Sequence, residues 1–72
     1  MKITVITKDG IKKRRNVKVG SPFSSSIEQR ASFDGVHWFK VLVNGSEVFP
    51  WDSPAIVEEG MDIVLAHEDV EL

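Results

Sequence analysis

The sequence predicts a two-layer α+β domain, with one short helix on one face of a mixed sheet of four or five strands in the order ββαβββ. Three observations carry this. Two runs, KITVIT and IKKRRNVKV, flank the turn signal KDG. Phe23, Ile27 and Ala31 recur at four-residue spacing after Ser21-Pro22. KVLVNGSEV then reads as a hairpin, and MDIVLAH reads as a closing strand.

Each element has a local cause. The first strand, near 2–7, is rich in β-branched residues; Ile3 and Val5 share one face and Thr4 and Ile6 the other. Gly10 supplies the positive φ of the turn. The second strand, near 12–19, alternates towards its end, with Val17 and Val19 pointing one way. Ser21 is placed to cap the helix with Pro22 at its first position; Ser25 with Glu28 is an alternative capping box. Serine hydroxyls compete for backbone hydrogen bonds, so the helix is short, held by its apolar stripe and ended by Asp34-Gly35.

Asn44-Gly45 suits a type I′ turn, which needs positive φ at both central residues. PWDSPAI is a loop, and VEEG is a further turn. In the last strand Met61, Ile63 and Leu65 face one side, Val64 and Ala66 the other. The expected core is Ile3, Val5, Val17, Val19, Phe23, Ile27, Ala31, Val41, Val43, Val48, Ile56, Met61, Ile63 and Leu65.

Seventy-two residues make one small domain, with 68–72 expected to be a flexible tail. There is no cysteine, which removes disulfides, thiolate nucleophiles and zinc–thiolate sites. No apolar run is long enough to span a membrane, and no signal peptide precedes the first strand, so a cytoplasmic location is expected. Net charge is −2 but lopsided: residues 1–36 carry +5 and residues 37–72 carry −7. Such asymmetry points to interaction faces, or to opposite charges meeting across paired strands.

With VGSPFSSSI entering the helix, KVLVNGSEV, and VEEGMDIVL closing the chain, the sequence resembles the β-grasp, or ubiquitin-like, superfamily. It is similar to the sulfur-carrier proteins of thiamine and molybdopterin synthesis and to TGS domains. The resemblance covers nearly the whole chain and implies a fold more than a role, because this fold hosts carriers, modifiers, adaptors and RNA-associated modules. Carriers end in Gly-Gly, whose missing side chains let an extended tail thread the activating enzyme. Here the end is Glu68-Asp69-Val70-Glu71-Leu72, and Gly-Gly occurs nowhere. A divergent carrier is therefore the least favoured of the readings the resemblance implies.

Four constellations are candidate sites. Trp38, Lys40 and Leu42 face away from the helix if Val41 and Val43 face it; with Ile6 and Val64 they make a partner-binding patch on the open sheet face. The resemblance implies that this face receives partners. In KKRR, alternation sends Lys12 and Arg14 one way and Lys13 and Arg15 the other. That run is either a charged edge strand or a nucleic-acid contact. In FPWDSP, Phe49 and Trp51 are expected to plug the end of the sheet, with Asp52 closing a turn; a protruding Trp51 is the alternative. Glu58, Glu59, Asp62, Glu68, Asp69 and Glu71 gather around the last strand. They form either a solvated surface or an acidic decoy for a basic nucleic-acid-binding protein, as small phage-encoded inhibitors can be.

His37 and His67 lack companion ligands at metal spacing. No nucleophile–base pair or phosphate-binding glycine loop is present, so no catalytic residue, metal or cofactor is assigned. The expectation is a non-enzymatic protein-interaction module, monomeric or weakly dimeric, with a protein partner and no membrane association.

Overall fold

A computed structural model describes residues 1–72. The elements run β1 (Lys2–Ile6), β2 (Lys12–Asn16), α1 (Phe23–Phe33), β3 (Phe39–Val43), β4 (Ser46–Val48) and β5 (Ile63–His67). One mixed five-stranded sheet has the order β2-β1-β5-β3-β4. The central pair β1–β5 is parallel, and every other pairing is antiparallel. The fold is a small α+β domain, and none of its helices is long and apolar enough to cross a membrane.

The helix forms on its stripe. Phe23, Ile27 and Ala31 are buried against Ile3, Val5, Val41, Ile63 and Leu65. Each buried aliphatic or aromatic side chain contributes about 1.5–3 kcal/mol relative to exposure. An isolated helix of 11 residues is marginal in water, so packing rather than propensity holds α1. Its start departs from the expected cap. Pro22 is the N-cap, and no side chain caps the helix. The Ser21 hydroxyl instead donates to the Lys18 carbonyl at 2.6 Å and meets the Ser26 hydroxyl at 2.8 Å. The capping box at Ser25 is not used, because the helix has already begun at Phe23.

The hairpin turn is as expected, with Asn44 at φ 53° and Gly45 at φ 85°. Asn44 is also fixed from outside: its N–H donates to the Asp62 carbonyl at 2.8 Å, and its side-chain oxygen accepts the Asp62 N–H at 2.9 Å.

The core needs several corrections. β2 stops at Asn16 and the chain turns at Val19–Gly20, with Gly20 at φ 90°, so Val19 is 38% exposed and outside the core while Val17 stays buried. Ile56 is 43% exposed, whereas its neighbour Val57 is fully buried. The cause is a backbone clasp: Val57 N–H donates to the Ser21 carbonyl at 2.9 Å, and its carbonyl accepts the Gly20 N–H at 2.7 Å. This clasp points Val57 inward beneath the helix start. Val36, unassigned by the sequence pattern, is buried because its N–H donates to the Ala31 carbonyl at 2.8 Å after Gly35 reverses the chain. Val43 and Met61 pack only partly buried against the cluster, and Val48 on the edge strand lies outside it.

Candidate functional site: the open sheet face

The register builds the open face row by row. Pairing aligns Arg14, Thr4, Val64, Leu42 and Glu47 across all five strands. A second row is Lys12, Ile6, Ala66 and Lys40. No helix covers this side. In the first row Leu42 and Val64 are direct neighbours, and both are half-buried. Arg14 donates to the Thr4 hydroxyl at 2.6 Å, which fixes the guanidinium beside them. Thr4 and Glu47 therefore belong to the site as well; strand alternation marks Thr4, and the two-residue Asn-Gly turn sets Glu47 opposite Leu42.

The second row differs from expectation. Ile6 is 4% exposed and Ala66 is fully buried, so Ile6 offers no contact area. The chain after β5 returns to this row. Glu68 N–H donates to the Trp38 carbonyl at 2.9 Å, Val70 N–H donates to the His67 carbonyl at 2.9 Å, and the Lys40 ammonium donates to the Val70 carbonyl. Residues 68–70 are thus tied down, and the Lys40 charge is partly engaged. Trp38, one residue before β3, follows the same alternation and is 69% exposed.

The basic run divides as its alternation requires. Lys12 and Arg14 lie on the open face beside Lys2, and none of the three has an ion-pair partner. Lys13 and Arg15 turn to the helix side and meet Asp34. Arg15 binds both Asp34 oxygens at 2.6–3.1 Å, and Lys13 lies 3.8 Å away. The Arg15 hydrogen bonds hold the Asp34 carboxyl below its ordinary pKa, against the opposing effect of burial. Phe33, 67% exposed, lies between the Arg15 and Arg30 guanidinium groups, 5.1 and 5.4 Å from its ring centre. This cluster fastens the end of the helix to β2, and it is structural.

Phe49 and Trp51 do not plug the sheet. They stack in parallel with centroids 5.0 Å apart, and Trp51 is 81% exposed. Asp52 closes this loop as anticipated: its carboxylate accepts the Phe49 N–H at 2.8 Å, and its own N–H donates to the Phe49 carbonyl at 3.0 Å. Phe49, but not Trp51, lines a groove of about 180 Å³ between α1 and β4, where Phe23, Ile27, Phe39 and Val48 also contribute. So exposed a ring contributes little to folding. Trp51→Ala is expected to shift stability by less than about 0.5–1 kcal/mol in chemical denaturation. A larger loss would return Trp51 to the core.

The acidic residues do not form one face. Glu58, Glu59 and Asp62 precede β5, and Glu68, Asp69 and Glu71 follow it. Roughly 20 Å of extended chain separates Asp62 from Glu68, about twice the screening length at physiological salt. The two groups act separately. His67 lies 3.8 Å from Asp69, His37 is exposed two residues before β3, and no three potential ligands gather to hold a metal ion. The chain matches no protein-family model, no curated protein and no solved structure.

Proposed function

We propose that this chain is a non-enzymatic protein-interaction module of the β-grasp type, binding its partner through the open sheet face. The β-grasp reading is supported by two hairpins flanking a helix and by the parallel pairing of the first and last strands at the sheet centre. The observation that carries the function is the Val64–Leu42 pair, half-buried at the middle of a five-strand row with no second layer over it. Trp38 adds an exposed aromatic at the margin. Arg14 and Glu47 at opposite ends of the row give the face a direction. Separation of the acids to the two ends of β5 weighs against the decoy reading, and a tail tied to β3 weighs against a carrier.

The test compares Trp38→Ser and Leu42→Asn with the unchanged chain in affinity capture from a native-host lysate. Truncating an interface hot spot weakens binding about thirtyfold or more, on the order of 2 kcal/mol. Both variants are expected to lose the captured protein and to keep the circular-dichroism spectrum. Equal capture by all three proteins, or unfolding of Trp38→Ser, defeats the proposal. A single-stranded oligonucleotide shift abolished by Lys12→Gln with Arg14→Gln would assign the face to nucleic acid instead.

A further inference from the structure

A second polar feature lies away from the open face. Where the chain after β2 runs alongside α1, a recess of about 170 Å³ extends to the last turn of the helix and is lined by residues 16–18, Ser21, Ser26, Gln29 and Arg30. The recess is open to solvent and wide enough to admit a tetrahedral oxyanion. None of the chain's 11 carboxylate residues lines it.

The donors there are unspent. The side chains of Asn16, Lys18, Gln29 and Arg30 make no hydrogen bond or ion pair within the fold. The two hydroxyls are already committed: Ser21 donates to the Lys18 carbonyl and Ser26 meets Ser21, so this wall is held in shape. Arg30 stands over the Phe33 ring at 5.4 Å, which restricts its plane. Asp34, whose charge bears on Arg30, is already neutralised by the two-pronged Arg15 contact. Two cations and the Gln29 amide around an acid-free recess match an anion with several acceptor oxygens.

We propose that this recess binds a phosphate-type oxyanion, either inorganic phosphate or the phosphoryl end of a larger molecule. Lys18 and Arg30 supply the charge, and Gln29 supplies an amide donor. The site stands apart from the sheet face and does not depend on what that face binds.

The test is a titration of the ¹⁵N-labelled chain, at constant ionic strength, with inorganic phosphate and separately with glycerol 3-phosphate, using chloride as the control. Saturable shifts at Lys18, Gln29 and Arg30 are expected with at least one phosphate ligand and not with chloride. The tighter of the two distinguishes the free ion from a phosphomonoester. Lys18→Gln with Arg30→Gln should weaken binding at least tenfold. Lys18→Gln alone leaves the Arg30–Phe33 contact in place and should weaken it severalfold in a fully folded protein. Shifts that never saturate, that chloride reproduces, or that persist unchanged in Lys18→Gln overturn the proposal.

Discussion

Val57→Asp is expected to unfold the domain, while Ile56→Asp, one position earlier, leaves it folded. Val57 is fully buried and clasped to Ser21 and Gly20 through both backbone groups, so its side chain has no route to water. The change forfeits about 1.5–3 kcal/mol of apolar burial and adds several kcal/mol for a carboxyl without a partner. A domain of this length has on the order of 4–10 kcal/mol of stability to lose. Ile56 is 43% exposed and contributes mainly a backbone bridge to Pro22, which a carboxylate side chain leaves in place. Its replacement should cost no more than about 1 kcal/mol. Thermal denaturation followed by circular dichroism reads both variants. A folded Val57→Asp protein would show that the loop before β5 is not part of the core.

The second large effect is acid sensitivity centred on Asp34. Its side chain is 1% exposed and accepts three hydrogen-bond contacts from Arg15. The folded state therefore lowers its pKa below the ordinary 3.8. A depressed carboxyl pKa stabilises the fold fully above the unfolded value, and that stabilisation is lost as pH falls through the folded value. Stability should thus be flat in this contribution above about pH 4 and decline below it. Asp34→Asn retains shape but not charge. It should cost on the order of 1–2 kcal/mol at pH 7, a range kept low because the Arg15 side of the pair reaches solvent. The gap between variant and parent in urea midpoint should narrow as pH falls from 7 towards 2. A gap of constant size would mean that the pair contributes through shape alone.

What could be read from the sequence was what short-range rules control. Asn44-Gly45 names its turn because few residues tolerate positive φ. Phe23, Ile27 and Ala31 mark a helix face by spacing alone, and Lys12 to Arg15 divide by strand alternation. What escaped depends on contacts between distant segments. Nothing local distinguishes Ile56 from Val57; the backbone clasp to residues 20 and 21 decides which one points inward. Ile6 lies on the face expected of it, yet it is buried, in a row to whose far end residues 68–70 return. Phe49 and Trp51 seemed suited to plugging the sheet because large aromatics usually bury, but here they stack on each other over a loop that Asp52 holds outside. The acids are close in sequence and separated in space because β5 lies between them.

The pairing at the sheet centre also bears on how the chain reaches this state. β1 and β5 are neighbours in space, with Val5 beside Leu65, although they lie at opposite ends of the described chain. Each flanking hairpin closes through a short turn and forms locally, on a microsecond scale. Neither hairpin has its inner edge satisfied until β5 slots between them, since β5 is the partner of both β1 and β3. Joining them closes a long loop and places the molecule among slow, topology-limited folders. During synthesis, β5 is made after the other four strands of this sheet. Until it emerges, the nascent chain carries two open β edges, and that interval is when it is most exposed to aggregation.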